Sequence, residues 1–166
     1  DKSEYVDCNF LTTSPDVLSF LPNNVKNYYI PNPTDESFEV LNNFNHECSQ
    51  DVFFALSHGV HRGILKSRTN DDREKFILKL IDSSKDIKFD VYGVNKIQPI
   101  WADQFINTIV NSKMGLNLSR GNPIKYYSSD RITQLIGNGL LTFIHKDTHY
   151  NNFFSNDEII FYSSVS

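Results

Sequence analysis

The 166-residue chain has 39% hydrophobic and 22% charged residues, the composition of one folded domain rather than of a disordered or membrane-spanning chain. Its net charge of −4 provides no general positive field for a nucleic-acid backbone, so any anion must be bound by a local group of cations. Cys8 and Cys48 form no CxxC pattern, and we interpret both as reduced thiols of a cytosolic protein. The sequence begins at Asp1 without a signal-peptide pattern, so we expect a piece of a longer protein.

The N-terminal part is predicted to contain two short strands, at residues 5–10 and 25–30, with a helix between them. Ser14-Pro15-Asp16 supplies an N-cap, a proline at the first helical position and an acid in the first turn, which predicts a helix through residue 21. Pro31-Asn32-Pro33 ends the second strand, because proline has no amide hydrogen to donate. The polar residues 37–50 are interpreted as a linker.

From residue 51 onward, predicted strands and helices alternate at the spacing of βαβ units. The predicted strands are residues 51–57, 87–92, 114–119 and 140–144, with one more at 158–162. The predicted helices are residues 70–83, 101–110 and 130–136, the second with an inner stripe of Trp101, Phe105, Ile106, Ile109 and Val110. Short right-handed connections predict an α/β fold, a Rossmann-like parallel sheet with helices on both faces.

The loop after the first of these strands is a candidate anion site, because ligands of open α/β sheets bind beyond the carboxyl ends of the strands. It combines glycines with Arg62 and Lys66, and an arginine fork together with a lysine point charge suits a diphosphate. The alternative is a solvated basic loop. His58 and His61 have no third metal ligand nearby, which favours hydrogen bonding over metal binding and leaves His61 as a substrate contact.

The segment between residue 119 and the helix at residue 130 is the second candidate site. A helix start offers peptide N–H groups and a positive dipole end to phosphate, and basic side chains surround this one. We predict diphosphate contacts here from Arg120, Ser128, Ser129 and Arg131. Tyr126 and Tyr127 are predicted to stack on a base or sugar, with packing as the alternative, and Asp130 to bind a hydroxyl or pair with an arginine.

Taken together, these segments resemble the C-terminal domain of group 1 glycosyltransferases with the GT-B fold, in particular their bacterial cell-surface relatives. Residues 30–35 (IPNPTD) resemble the segment where the first domain hands over to the second, and the strand ending at Gly93 resembles the one that approaches the nucleoside. Residues 131–142 resemble the sugar-donor motif, a helix that ends at a glycine before a strand. The family commonly has two glutamates eight positions apart where this chain has Tyr126 and Gln134, and Gln134 retains the ability to bind ribose hydroxyls.

The resemblance implies that residues 1–36 are the end of the acceptor domain, 37–50 a linker, and 51–166 the donor-binding domain, truncated at its C-terminus. It implies transfer of a hexosyl or related group from a nucleoside diphosphate sugar to a glycan, lipid or other surface acceptor, in cell-surface polysaccharide biosynthesis. The missing N-terminal domain is expected to bind the acceptor, and no metal or other cofactor is expected. The implied nucleoside or sugar contacts are His61, Gly93, Tyr126, Tyr127, Asp130 and Gln134.

Three alternatives are weighed against this hypothesis. A degenerate, non-catalytic interaction module is favoured by Tyr126 and Gln134, and a sugar-nucleotide epimerase would need acid–base residues that are not evident. A nucleic-acid-binding domain is disfavoured by the acidic total charge. A cytoplasmic location is expected, without a transmembrane segment and with contact at the inner face of the membrane left open. The hypothesis depends on the two cationic loops meeting at one crevice.

Overall fold

The structure is a computed structural model that describes residues 5–57 and 72–164. Its strands are β1 (Cys8–Leu11), β2 (Lys26–Tyr29), β3 (Gln50–Ala55), β4 (Phe89–Tyr92), β5 (Ser112–Asn117), β6 (Leu141–His145) and β7 (Ile159–Tyr162). Its α-helices are α1 (Arg73–Ser83), α2 (Asp103–Ile109) and α3 (Asp130–Gly137). Within these described ranges, no helix is both long and apolar enough to cross a bilayer.

The main sheet has five parallel strands in the order β4-β3-β5-β6-β7, which confirms the predicted Rossmann-like α/β fold. The chain moves from β3 to β4 on one side and then crosses back to β5 on the other side of β3. The connections that leave β3 and β5 therefore diverge, and a crevice opens between the carboxyl ends of these two strands. This is the switch point of the sheet, where ligands of such folds bind.

Helices cover both faces of the sheet, which explains the continuous apolar sequence of β3. Phe53 and Phe54 are neighbours on this strand and point to opposite faces, because side chains alternate along a strand. Phe54 packs with Ile77 of α1, whereas Phe53 packs with Ile109 of α2 and Leu135 of α3. Both phenylalanines are at most 1% exposed, as expected of a central strand that is buried on both sides.

The N-terminal segment forms its own two-stranded sheet, in which β1 and β2 run parallel. The predicted helix over residues 14–21 is wrong, since the structure has only a short 3-10 turn at Pro15–Val17. The Ser14 hydroxyl donates to the Asp16 carboxylate rather than capping a helix. Pro22 also disfavours helical backbone at the residue before it, so the turn cannot extend to the predicted end.

Residues 37–50, predicted as a linker, lie against the main domain. The Asn43 side chain is buried and its amide donates to the carbonyl oxygens of Ile109, at 2.7 Å, and Ser112, at 2.8 Å. The backbone amide of Leu41 donates to the Asn138 side-chain oxygen at 3.1 Å. These contacts attach the segment to the end of α2, the start of β5 and the end of α3.

Candidate functional site

A cavity of about 880 Å³ lies at the carboxyl ends of β3 and β5, at the switch point. Its lining comes from the residues that follow these two strands, the approach to α2, and the first turns of α3. The lining residues used below are Phe53, Arg73, Ile100, Trp101, Ala102, Phe105, Ile106, Asn117, Leu118, Ser119, Arg120, Tyr127, Ser129, Asp130, Arg131 and Gln134. The cavity therefore coincides with the place predicted for a ligand.

The cavity has an apolar side and a polar side. Ile100, Trp101, Phe105 and Ile106 contribute the apolar surface, from α2 and the residues before it. Cationic, hydroxyl and amide side chains and the Asp130 carboxylate contribute the polar surface, from the loop after β5 and the start of α3. This arrangement suits a ligand that has one apolar or planar part and one anionic part.

Arg131 ties the two strands together at the crevice. Its guanidinium nitrogens donate to the carbonyl oxygen of Leu118 at 2.9 Å and to that of Ala55 at 3.2 Å. Ala55 ends β3 and Leu118 follows β5, so one side chain spans the switch point. The guanidinium carbon also lies 5.6 Å from the centre of the Phe54 ring. Arg131 thus both shapes the cavity and contributes a positive charge to its wall.

Six of the predicted site residues lie together in the cavity wall. Arg120 is exposed in the loop after β5, and Ser129 immediately precedes α3. Gln134 lies one turn into the helix, beyond Asp130 and Arg131. The six residues are Arg120, Tyr127, Ser129, Asp130, Arg131 and Gln134. Their roles toward a ligand stay predictions, but the structure brings them to one surface.

Ser128 and Lys125 face the N-terminal segment. Ser128 is only 3% exposed, its amide donates to the Thr12 carbonyl at 2.7 Å, and its hydroxyl accepts from the Asn32 amide at 2.9 Å. Lys125 lies 2.6 Å from the Asp16 carboxylate. This hydrogen bond raises the pKa of Lys125 and lowers that of Asp16. Among the described residues, the cavity lining includes neither Ser128 nor Lys125.

Tyr126 lies in an aromatic cluster. Its backbone is left-handed, with φ of +56°, and its ring centre lies 5.3 Å from that of Tyr29 and 4.9 Å from that of Phe153. Its hydroxyl accepts a hydrogen bond from the Asn152 side chain at 2.6 Å. Of the two adjacent tyrosines in this described loop, only Tyr127 lines the cavity.

Gly93 is buried at the end of β4 and allows two strands to approach closely. Its φ is +73°, and an added Cβ would lie 2.1 Å from the Leu56 carbonyl oxygen. Packing between the ends of β3 and β4 therefore explains this glycine. It is not among the described residues that line the cavity.

His61, Arg62 and Lys66, the predicted contacts of the first cationic loop, lie outside the described residues. Their assignment to the diphosphate or to the sugar stays a prediction. Among the residues that are described, no three His, Cys, Asp or Glu side chains cluster as metal ligands would.

Two features of the cavity wall were missed from the sequence. Arg73, the first residue of α1, is only 8% exposed and lines this cavity together with an adjoining one of about 480 Å³. Its position at the first turn after the β3 connection was the available signal. Trp101 was predicted in the buried stripe of α2, but it precedes the helix and is 58% exposed. Next to it, Ala102 has φ of +49°, an unusual backbone for a residue with a side chain.

A family model described as glycosyl transferase-like matches residues 68–166, which is more than half of the 166 residues. The matched region runs from before α1 to the end of the chain and includes the loop after β5 and all of α3. No curated protein and no solved structure matches the chain. The chain therefore belongs to the glycosyl transferase-like family, and the chemistry of its family is glycosyl transfer.

Proposed function

We propose that the chain is the donor-binding part of a GT-B glycosyltransferase and that its cavity binds a nucleoside diphosphate sugar. The complete protein then transfers a hexosyl or related group to a glycan, lipid or other surface acceptor on the cytoplasmic side of the membrane. The observation that carries the proposal is the two-sided cavity at the switch point of the sheet, within a glycosyl transferase-like chain.

The two sides of the cavity correspond to the two ends of such a ligand. The apolar side formed by Trp101 and Phe105 suits the planar base, and the amide of Gln134 can both donate to and accept from ribose hydroxyls. Arg120 and the peptide N–H groups of the first turn of α3 suit the diphosphate. Asp130, a hydrogen-bond acceptor, suits a hydroxyl of the sugar.

The proposed reaction breaks the bond between the anomeric carbon and the diphosphate oxygen, and the bonding electrons stay with the diphosphate. The acceptor hydroxyl forms the new glycosidic bond and gives its proton to a base. Arg120, Arg131 and the start of α3 stabilise the negative charge that grows on the leaving group. We assign the acceptor contacts and the base to the N-terminal domain of the complete protein, and we propose that the reaction needs no metal.

Calorimetry of the 166-residue chain with UDP, GDP, UDP-glucose and GDP-mannose tests the proposal, with EDTA present to address the metal. We expect binding of at least one nucleotide and its sugar. Arg120→Ala should weaken nucleoside diphosphate binding about five- to tenfold, the effect of one exposed charge-assisted contact, and leave nucleoside binding unchanged. A folded sample that binds none of the four ligands would refute the proposal.

Lys113→Ala is the matched control. Lys113 lies near the start of β5, at the amino ends of the strands and therefore away from the cavity at their carboxyl ends. Its side chain is 57% exposed and lies beside Asp51. Its removal changes the net charge by the same amount as Arg120→Ala. Equal losses in the two variants would mean that general charge, and not the cavity, attracts the nucleotide.

A binding module without activity is the second candidate. Tyr126 is packed with Tyr29 and Phe153, and Gln134 stands where the family commonly has a glutamate. Such a module binds nucleotide sugars without turning them over. Turnover of UDP-glucose or GDP-mannose by the complete protein separates the two candidates.

A further inference from the structure

Asn32 makes two hydrogen bonds to the start of α3. Its backbone amide donates to the Ser128 hydroxyl at 2.9 Å, and its side-chain amide donates to the Asp130 carboxylate at 2.6 Å. Asn32 lies 96 and 98 positions from these partners in the chain, so the contacts are tertiary. Asp130 itself lies in the cavity wall. A residue of the N-terminal segment therefore holds a direct hydrogen bond to a cavity-lining carboxylate.

The backbone around Asn32 is stiff and firmly attached. Pro31 and Pro33 flank it, and each proline ring restricts its own φ and the backbone of the residue before it. The same N-terminal segment also makes three polar contacts with the residues before α3. These are the Ser128 amide to the Thr12 carbonyl at 2.7 Å, the Ser14 amide to the Lys125 carbonyl at 3.1 Å, and the Lys125–Asp16 ion pair at 2.6 Å.

The peptide N–H groups and the helix dipole attract a carboxylate in the first turn of a helix, so they compete with any other partner of Asp130. Asn32 opposes this by binding one oxygen of Asp130 with an amide that carries no charge. A carboxylate accepts several hydrogen bonds, so the one from Asn32 leaves Asp130 with further accepting capacity. The hydroxyl groups of a sugar are the matching donors at a nucleotide-sugar site.

We propose that Asn32 is a positioning residue that sets the Asp130 carboxylate to accept a hydrogen bond from a hydroxyl of the bound sugar. Asn32, in the N-terminal segment, then supports the sugar-binding site from outside the cavity wall. This inference rests on the proposed function, because it requires a nucleotide sugar in the cavity. It differs from that proposal in assigning a role to a residue outside the cavity wall.

The test is calorimetry of Asn32→Ala with a nucleoside diphosphate and with the corresponding nucleotide sugar. Alanine keeps the backbone amide that binds Ser128 and removes only the contact to Asp130. We expect the Kd of the nucleotide sugar to rise about three- to tenfold, the range for one ordinary hydrogen bond, because the Asn32–Asp130 contact is exposed and acts on the ligand only through Asp130. The Kd of the nucleotide should stay within about twofold. Asn24→Ala, at an exposed position of the same segment, is the control and should change neither.

A double-mutant cycle with Asp130→Ala tests whether Asn32 acts through the carboxylate. Asp130→Ala should weaken nucleotide-sugar binding selectively, and adding Asn32→Ala should have no further effect. Asn32→Leu has a similar size without the donor and adds no charge, so it gives a second measurement if the alanine variant does not fold. Equal weakening of nucleotide and nucleotide sugar, or additive effects in the cycle, would overturn the inference while leaving the proposed function standing. Absence of nucleotide binding by the unaltered chain would overturn both.

Discussion

Replacing Arg131 tests whether this side chain is primarily a brace across the switch point or primarily a phosphate ligand. Arg131→Met removes the two hydrogen bonds to the Leu118 and Ala55 carbonyls and keeps a long apolar stem over Phe54. Arg131→Lys keeps the positive charge but lacks the planar fork that reaches both carbonyls. The two variants therefore separate the charge from the bridge.

The expected loss of stability follows from these contacts. A hydrogen bond from a charged group contributes about 1.5–3 kcal/mol, and the lower value applies here because Arg131 is only half-buried and cavity water can hydrate the carbonyls. Two such bonds give about 3 kcal/mol for Arg131→Met. For a domain of this size, about 3 kcal/mol corresponds to a decrease in Tm of roughly 6–12 °C. Arg131→Lys should lower the free energy of unfolding by at least half as much as Arg131→Met does.

Thermal and urea denaturation measure the stability, and calorimetry with UDP or GDP measures binding. Arg120→Met, at an exposed position of the same cavity, is the control and should change the free energy of unfolding by less than about 0.5 kcal/mol. If Arg131→Met and Arg131→Lys both unfold like the unaltered chain, the brace does not stabilise the sheet. If Arg131→Met also binds diphosphate normally, the role of Arg131 as a phosphate ligand is refuted as well.

Three further predictions concern single residues. Gly93→Ala should lower the free energy of unfolding, measured by urea denaturation, by more than about 2 kcal/mol, because an alanine in the left-handed region costs about 1–2 kcal/mol and its Cβ would also lie 2.1 Å from the Leu56 carbonyl oxygen. A smaller decrease would contradict the close approach of the two strands. Burial raises the pKa of Asp90, although Tyr92 donates a hydrogen bond to its carboxylate. Ionisation of Asp90 therefore lowers the free energy of unfolding, and this loss develops as the pH rises through about 4. Asp90→Asn should therefore raise Tm at pH 7 and not at pH 3, and an equal shift at both would refute the assignment. Gln134→Leu should raise the Kd of a nucleoside and of its diphosphate by the same factor, about fivefold, whereas a loss confined to the diphosphate would exclude a ribose contact.

The sheet was predictable because the local sequence of its strands is enough to identify them. The run from Val52 to Ala55 is apolar on both faces, as only a doubly covered strand can be, and the alternation with amphipathic helices predicted parallel pairing. The stop after α3 was also correct, since Gly139 has φ of +77°. The failed helix at residues 14–21 shows the limit, because its capping serine binds Asp16.

The cavity was predictable only in part, because the direction of a loop depends on distant contacts. Arg120 and Gln134 were placed near a ligand site by the rule that ligands bind at strand ends. Tyr126 could not be oriented in this way. Its amide donates to the Thr148 carbonyl at 2.8 Å, a contact 22 positions away that turns its ring toward Tyr29. No local pattern in the sequence reports such a contact.

Arg73 was overlooked for a different reason. A charged residue at the start of a helix ordinarily lies in solvent, and the helix periodicity assigned burial to the apolar residues alone. In the structure α1 begins at the crevice, and Arg73 is 8% exposed there and lines a cavity together with residues that follow β5. Charged residues at the first turn after a parallel strand therefore deserve inclusion among candidate site residues.

The position of β3 in the middle of the sheet has a consequence for biosynthesis. Both partner strands of β3 are made later, and so are the helices that cover Phe53 and Phe54. During translation these side chains therefore leave the ribosome before their partners exist. Non-local parallel pairing of this kind is slow, and until it is complete the apolar strand β3 stays exposed and prone to aggregation. The yield of soluble protein in a cell should therefore depend on chaperones that shield nascent chains, and a version that ends before β5 should aggregate.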